Sequence, residues 1–236
     1  MIITEQKPLS EIIEQLKGYQ DIFLVGCGEC ATTCKTGGQA ELDKLKILLE
    51  QEGKKITGSC IPPAPCVASQ IKTEFAKNIK ALRQTKAILV LACGLGAQSV
   101  KDNDRMGLAV IPGLNTLCGA VMDAQGDFYE KCSMCGECVL SATAAICPIT
   151  LCPKGLLNGP CGGMDKGKCE VNKDRDCAWV CIYQELKKND RLAEFKKVHS
   201  PKDYKRALKP HKIAMTRKEG WNRWQEKKNR GYIQKR

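Results

Sequence analysis

The stretch DIFLVGCGECATTC (21–34) runs an apolar segment directly into three cysteines, Cys27, Cys30 and Cys34. A short unbroken apolar run that ends in glycine reads as a strand buried on both faces, the usual state in a parallel sheet. Three more segments have the same character: KKITGS (54–59), AILVLA (87–92) and GLAVIP (107–112). Between the first two, QAELDKLKILLEQEG (39–53) places Leu42, Leu45, Leu48 and Leu49 on one helical face, and Gly53 stands where a C-terminal cap belongs. Residues 67–84 give a second crossover helix, with Ile71, Phe75, Ile79 and Leu82 at helical spacing. Near the start, Ser10 would cap a short helix containing Ile12, Ile13 and Leu16. Strand alternating with helix predicts an α/β fold over residues 1–125, a small open parallel sheet of flavodoxin- or Rossmann-like type with helices on both faces.

The cysteines fall where such a sheet would gather them. Cys27 follows the first strand, Cys60 the second and Cys93 the third, while Cys118 comes shortly after the fourth. Residues that follow successive parallel strands emerge at one edge, where open α/β sheets bind ligands. With the first strand between the second and third, Cys27, Cys60 and Cys93 would face one another. Cys30 and Cys34 are four apart and share a face if their loop turns helical. Cys66 lies in the proline-rich loop IPPAPC (61–66). Cys30, Cys34 and Cys93, with Cys66 or Cys27 as the fourth, are the expected ligands of a metal centre. Cys60 and Cys118 read more simply as small core residues. The glycines of ACGLGAQS (92–99) do not make a dinucleotide loop: Ser99 stands where the third glycine should be, and no acidic residue follows at the ribose position.

Composition divides the rest of the chain. Of 236 residues, sixteen are cysteine, and nine of these lie in 126–181. That segment has few bulky side chains, so bound metal would substitute for the core it cannot build. Residues 182–236 hold eighteen Lys/Arg against six Asp/Glu and account for the whole formal net charge of +12. They read as a basic extension. The N-terminal sequence lacks a basic segment leading into an apolar one, and no apolar run reaches 18 residues, so a cytoplasmic protein is expected. In a reducing compartment, closely spaced cysteines signal metal or redox chemistry rather than disulfides.

The sharpest local signal is Cys132-Ser-Met-Cys135-Gly-Glu-Cys138. Thiolates two residues apart in a tight loop can each reach a different iron of a cubane cluster. Cys147-Pro148 follows at more than the ferredoxin spacing, and then come Cys152, Cys161, Cys169, Cys177 and Cys181. Two four-thiol sites would use eight of the nine. Cys132, Cys135 and Cys138 would join a distant cysteine such as Cys177, and Cys147, Cys152, Cys161 and Cys169 would make the other site. Structural zinc prefers two separated knuckles, so a triple run fits it less well than it fits a cluster. The second set's spacings fit zinc and iron–sulfur alike.

The stretch CSMCGECVLSATAAICPITLCPKGLLNGPCGGMDKGKCE (132–170) resembles the cysteine-rich signature of the MetV family, small subunits of methylenetetrahydrofolate reductase in acetogens and related anaerobes. The same module occurs fused behind reductase domains as their C-terminal domain. VGCGECATTC, VLACGLGAQSV and CAWVCIYQEL are similar too, so the resemblance spans about residues 20–190, with LLNGPCGG its most specific part. Where family members often read T-G-G-I-C-P, this chain has Thr143-Ala144-Ala145-Ile146-Cys147-Pro148, which alters a turn and keeps the thiol. Cys118 often has no counterpart in the family, in keeping with a packing role. The resemblance implies two or three [4Fe-4S] clusters, with zinc an alternative at one site. It also implies a separate MetF-type flavin subunit that carries FMN or FAD and reduces methylenetetrahydrofolate. This chain would relay electrons to that flavin from a ferredoxin, NADH-linked or heterodisulfide-reductase-like donor. The adjacent Cys-Cys pair of heterodisulfide-reductase modules is absent here. No triad or paired-carboxylate arrangement suggests that this chain does acid–base catalysis itself.

The basic tail interleaves Trp221, Trp224 and Tyr232 with Lys and Arg. Aromatics among cations suit docking to an acidic partner surface, and also suit nucleic acid, where phosphates and bases supply the contacts. The cysteine signature favours partner docking. His199 and His211 sit in polar surroundings and read as surface residues rather than ligands. A zinc-stabilised adaptor and a nucleic-acid-binding zinc protein are the competing classes.

Overall fold

The computed structural model describes residues 1–207, 209 and 210. Trp221, Trp224, Tyr232 and His211 lie outside them. In chain order the first elements are β1 (Ile2–Gln6), α1 (Leu9–Gln15), β2 (Asp21–Val25), α2 (Cys30–Thr33), α3 (Gln39–Gln51) and β3 (Lys55–Cys60). There follow α4 (Ala68–Lys77), α5 (Ile79–Leu82), β4 (Ala87–Val90), α6 (Gly94–Asn103) and β5 (Ala109–Pro112). A hairpin of β6 (Leu114–Met122) and β7 (Phe128–Cys132) precedes α7 (Pro148–Leu151), α8 (Ala178–Lys188) and α9 (Leu192–Phe195).

The four expected strands form one parallel sheet in the order β3-β2-β4-β5. The first of them is flanked by the second and third, as the reading of the sheet edge requires. Ile22, Phe23, Leu24 and Val25 of β2 are fully buried, as are Ile88, Leu89 and Val90 of β4, so the unbroken apolar runs mark strands covered on both faces. Leu42, Leu45 and Leu49 of α3 and Ile71, Phe75 and Leu82 of α4 and α5 supply the covering layers. The single helix expected over 67–84 is interrupted at Asn78, whose side-chain amide donates to the Glu74 carbonyl (3.0 Å). Ser10 is not the cap of α1. Pro8 takes that position and Ser10 lies inside the first turn, because proline's fixed φ and missing N–H suit a helix entry.

A second, antiparallel sheet, β1-β6-β7, was not expected from the sequence. Its hairpin turns between Met122 and Phe128, so this sheet straddles the compositional step at 125/126. Residues 139–199 carry a small core of their own: Trp179, Ile182 and Leu186 of α8 pack with Ile146, Leu156, Leu192 and Phe195. Trp179 donates its indole N–H to the Leu156 carbonyl (3.0 Å) and meets the Phe195 ring edge-on at 5.9 Å. By contact density the chain resolves into two units. One comprises residues 1–133 and 139–199, the other 134–138 and the described residues from Ser200.

Candidate metal centres

No disulfide joins the sixteen cysteines, all of which lie among the described residues. The first set lies where parallel topology delivers it. Cys27 follows β2, Cys93 precedes α6 as its N-cap, and Cys66 lies in the loop between β3 and α4. Two glycines allow these loops to close on each other. A Cβ on Gly28 would sit 3.1 Å from Pro63 Cα, and one on Gly96 would sit 3.1 Å from Pro65 Cγ. The Gly28 N–H donates to the Pro62 carbonyl (2.9 Å), which fastens the cysteine loop to the proline-rich loop.

Burial pushes the Cys27 thiol up; backbone N–H groups of Ala31 and Glu29 oppose this, and the neighbouring Cys30 and Cys93 add to it. Cys66 is likewise raised, first by desolvation and then by Cys93, with smaller effects from Cys27 and Cys30. Cys27, Cys30, Cys66 and Cys93 are therefore electrostatic neighbours. Cys34 is placed differently: its thiol faces the Ile2 carbonyl (3.8 Å), while the Ile2 N–H donates to Cys30 Sγ (3.5 Å). Cys60 is a core thiol, with burial the main cause of its pKa being pushed up to about 12. Cys118 stands opposite Ile3 in the β1–β6 ladder.

In the second set, Cys152, Cys161, Cys169 and Cys177 line one cavity of about 20 Å³, together with Met164 and Trp179. A short hairpin makes this possible. The Cys169 N–H donates to the Arg175 carbonyl (2.9 Å) and the Cys177 N–H to the Gly167 carbonyl (2.8 Å), which brings two thiols eight residues apart to one place. Cys177 also caps α8, so the Trp179 core positions it. Backbone N–H groups of Asn172 and Val171 directed at Cys169 lower its pKa, the direction that favours a thiolate. Cys161 donates to Glu170 Oε2 (3.1 Å), and Lys154 pairs with the same carboxylate and holds it below its ordinary range. Cys147 begins α7, does not line this cavity, and has its thiol directed at Thr150 Oγ1 (3.6 Å). Sequence spacing grouped Cys147 with Cys152, Cys161 and Cys169, whereas the cavity holds Cys177 in its place. Cys181 is raised mainly by burial.

Of the triple run, Cys132 ends β7 and is exposed, while Cys135 and Cys138 belong to the smaller unit. Lys202 Nζ lies 3.0 Å from Cys135 Sγ. Glu170, Lys154, Met164 and Lys202 escaped the sequence reading. Only Glu170, next to Cys169 in sequence, carried any local signal.

The donor chemistry fits a thiolate-held metal: thiols placed in loops, with Cys27, Cys30 and Cys169 under backbone N–H groups. Among the described residues, however, no three His, Cys, Asp or Glu side chains stand close enough together to hold an ion. Nor, among them, is any helix long and apolar enough to cross a membrane. No curated protein and no solved structure matches the chain. Residues 111–205 match the family model described as Methylene-tetrahydrofolate reductase C terminal, which covers the β6–β7 hairpin, the triple run and the four-thiol cavity. Through that segment, the chain carries a methylenetetrahydrofolate reductase C-terminal domain.

Proposed function

We propose that this chain is the iron–sulfur electron-transfer subunit of a methylenetetrahydrofolate reductase and passes electrons to the flavin of a MetF-type catalytic subunit. The observation that carries this reading is the gathering of free thiols in a chain with a reductase C-terminal domain. Cys27, Cys30, Cys66 and Cys93 lie in neighbouring loops at the strand ends and influence one another electrostatically, and Cys132, Cys135 and Cys138 lie in a ferredoxin-like run. When bound, iron–sulfur clusters supply one-electron steps at potentials set by burial and by hydrogen bonds to sulfur. The chain's own residues would hold them, exclude water and tune them, while folate and flavin stay on the partner.

Zinc is the alternative at Cys152, Cys161, Cys169 and Cys177, whose spacings fit a single tetrahedral ion as well as a cluster. The test is anaerobic co-expression with the flavin subunit, followed by iron, sulfide and zinc analysis and visible spectra before and after dithionite. A brown protein with about four or more irons per chain that bleaches on reduction is expected. A colourless protein holding only zinc would overturn the relay and leave a structural adaptor.

A further inference from the structure

Large apolar side chains exposed on a protein surface are ordinarily scattered, and Ile47 on α3 is of that kind. The β6–β7 hairpin differs. Leu117, Val121, Met122, Phe128 and Tyr129 lie close together in sequence, and each is between 37% and 58% exposed. Val121 stands opposite Tyr129 in the ladder, and Met122 opposite Phe128. Neighbouring residues of a strand point to opposite faces, so each face of the hairpin's end carries an exposed apolar pair. A sheet laid against a core exposes only one such face. None of the five side chains joins either apolar core of the chain. Clustered apolar surface of this kind marks contact with another molecule.

The same sheet reaches the cysteine loops. β1, which pairs with β6, donates its Ile2 N–H to Cys30 Sγ (3.5 Å). The Gly94 N–H, next to Cys93, donates to Thr116 Oγ1 of β6 (2.8 Å). From Thr116 to Val121 along that strand is about 17 Å. The match to the family model begins at residue 111, so the hairpin is the first complete element of the reductase-associated segment. A second copy of the chain suits the hairpin less well. Asp123, Asp127 and Glu130 outnumber Lys131 around it, and a two-fold contact would set these carboxylates against their own copies.

We propose that the exposed end of the β6–β7 hairpin is the surface on which the MetF-type flavin subunit docks, with Val121 and Tyr129 on one face and Met122 and Phe128 on the other as apolar anchors. The proposal rests on the electron-transfer reading above, which requires that subunit to sit beside the cysteine loops. Burial of these side chains supplies the attraction, and the carboxylates at the turn favour a basic rim on the partner.

The test is titration of the full chain, purified anaerobically, with the flavin subunit. Wild type is compared with two double variants, Val121→Thr with Tyr129→Thr and Met122→Thr with Phe128→Thr. Threonine keeps the strand preference while removing apolar surface. Each double variant is expected to weaken binding by about tenfold or more, and Ile47→Gln to leave it unchanged. Hydrogen exchange gives a readout that needs no substitution: amides over 117–131 should slow when the flavin subunit binds the wild type. Folded double variants that bind as the wild type does, or unchanged exchange over 117–131 in a complex that forms, overturn the proposal and leave the relay standing. If the variants do not fold, that exchange measurement decides. A wild-type chain that self-associates, and double variants that do not, would make a second copy the occupant and overturn the proposal as well. A wild-type chain that does not bind the flavin subunit at all overturns the electron-transfer reading itself.

Discussion

At Cys60 a single buried thiol makes stability depend on pH. It is 6% exposed, and burial, with a smaller effect from Glu74, raises its pKa from 9.0 to about 12. The unfolded chain ionises this thiol near its ordinary value while the folded chain keeps the proton to higher pH. The contribution is therefore complete below about pH 9 and is lost as pH climbs from there toward 12. The stability advantage of the wild type over Cys60→Ala should shrink by about 1 kcal/mol between pH 8 and pH 10, read from urea unfolding at both values. An unchanged difference would remove burial as the cause. Ala145 offers the opposite case, a residue the fold does not suit. It is exposed and has φ of +64°, a left-handed conformation that penalises any Cβ, at a position where the resembling family often has glycine. Ala145→Gly should raise stability by about 0.5 kcal/mol, the relief of strain being partly offset by a freer unfolded chain. A loss of stability in the same unfolding experiment would show that the turn is not strained. The chemistry of such residues is legible in the sequence only when the backbone announces it. Cys60 could be named as packing because it ends an apolar strand, but nothing local marks Lys202, whose partner is 67 positions away.

At the scale of elements, legibility follows burial. β2 and β4 were readable because strands covered on both faces become compact apolar runs, and the partly exposed edge strands β3 and β5 were readable from their place in the alternation of strand and helix. β1, β6 and β7 were not. β7 is exposed along its whole length and mixes aromatic with charged residues, and the pairing of β6 shifts at Gly119/Ala120, which spoils the two-residue alternation that would have revealed it. α8 was not read from the sequence either, although Trp179, Ile182 and Leu186 have helical spacing, and its task of holding Cys177 at the cavity lined by four cysteines is tertiary. Ile182 is fully buried in the small Trp179 core, which is a separate cluster from the parallel-sheet core. Ile182→Ala should cost about 3 kcal/mol in the local stability of that core. Hydrogen exchange should accelerate over 140–199 and leave β2 and β4 protected. Equal acceleration in the parallel sheet would mean that the two cores unfold as one.

For the whole molecule, the question is how much of it depends on metal. Parallel topology made the placement of Cys27, Cys66 and Cys93 in loops after neighbouring strands predictable, because strand ends share an edge. The grouping of Cys177 with Cys152, Cys161 and Cys169 was hidden, since it depends on a hairpin set by backbone bonds from Cys169 to Arg175 and from Cys177 to Gly167 rather than on cysteine spacing. That contrast also locates the structural effect that a bound metal would have. The sheet holds an extensive core made of its own side chains, whereas residues 139–177 lean on the few large side chains around Trp179. Metal binding to a segment with so thin a core is in large part its folding free energy. Stripping metal with a chelator under anaerobic, reducing conditions should therefore open the cysteine-rich segment and spare the sheet. Brief trypsin digestion should then cut at Lys166, Lys168, Lys173 and Arg175, which lie exposed in or near the hairpin between Cys161 and Cys177, while fragments spanning 21–112 persist. Restoring metal should suppress those cuts. Cleavage spread evenly through both regions would show that metal holds the entire chain, and unchanged resistance would show that the hairpin stands without it.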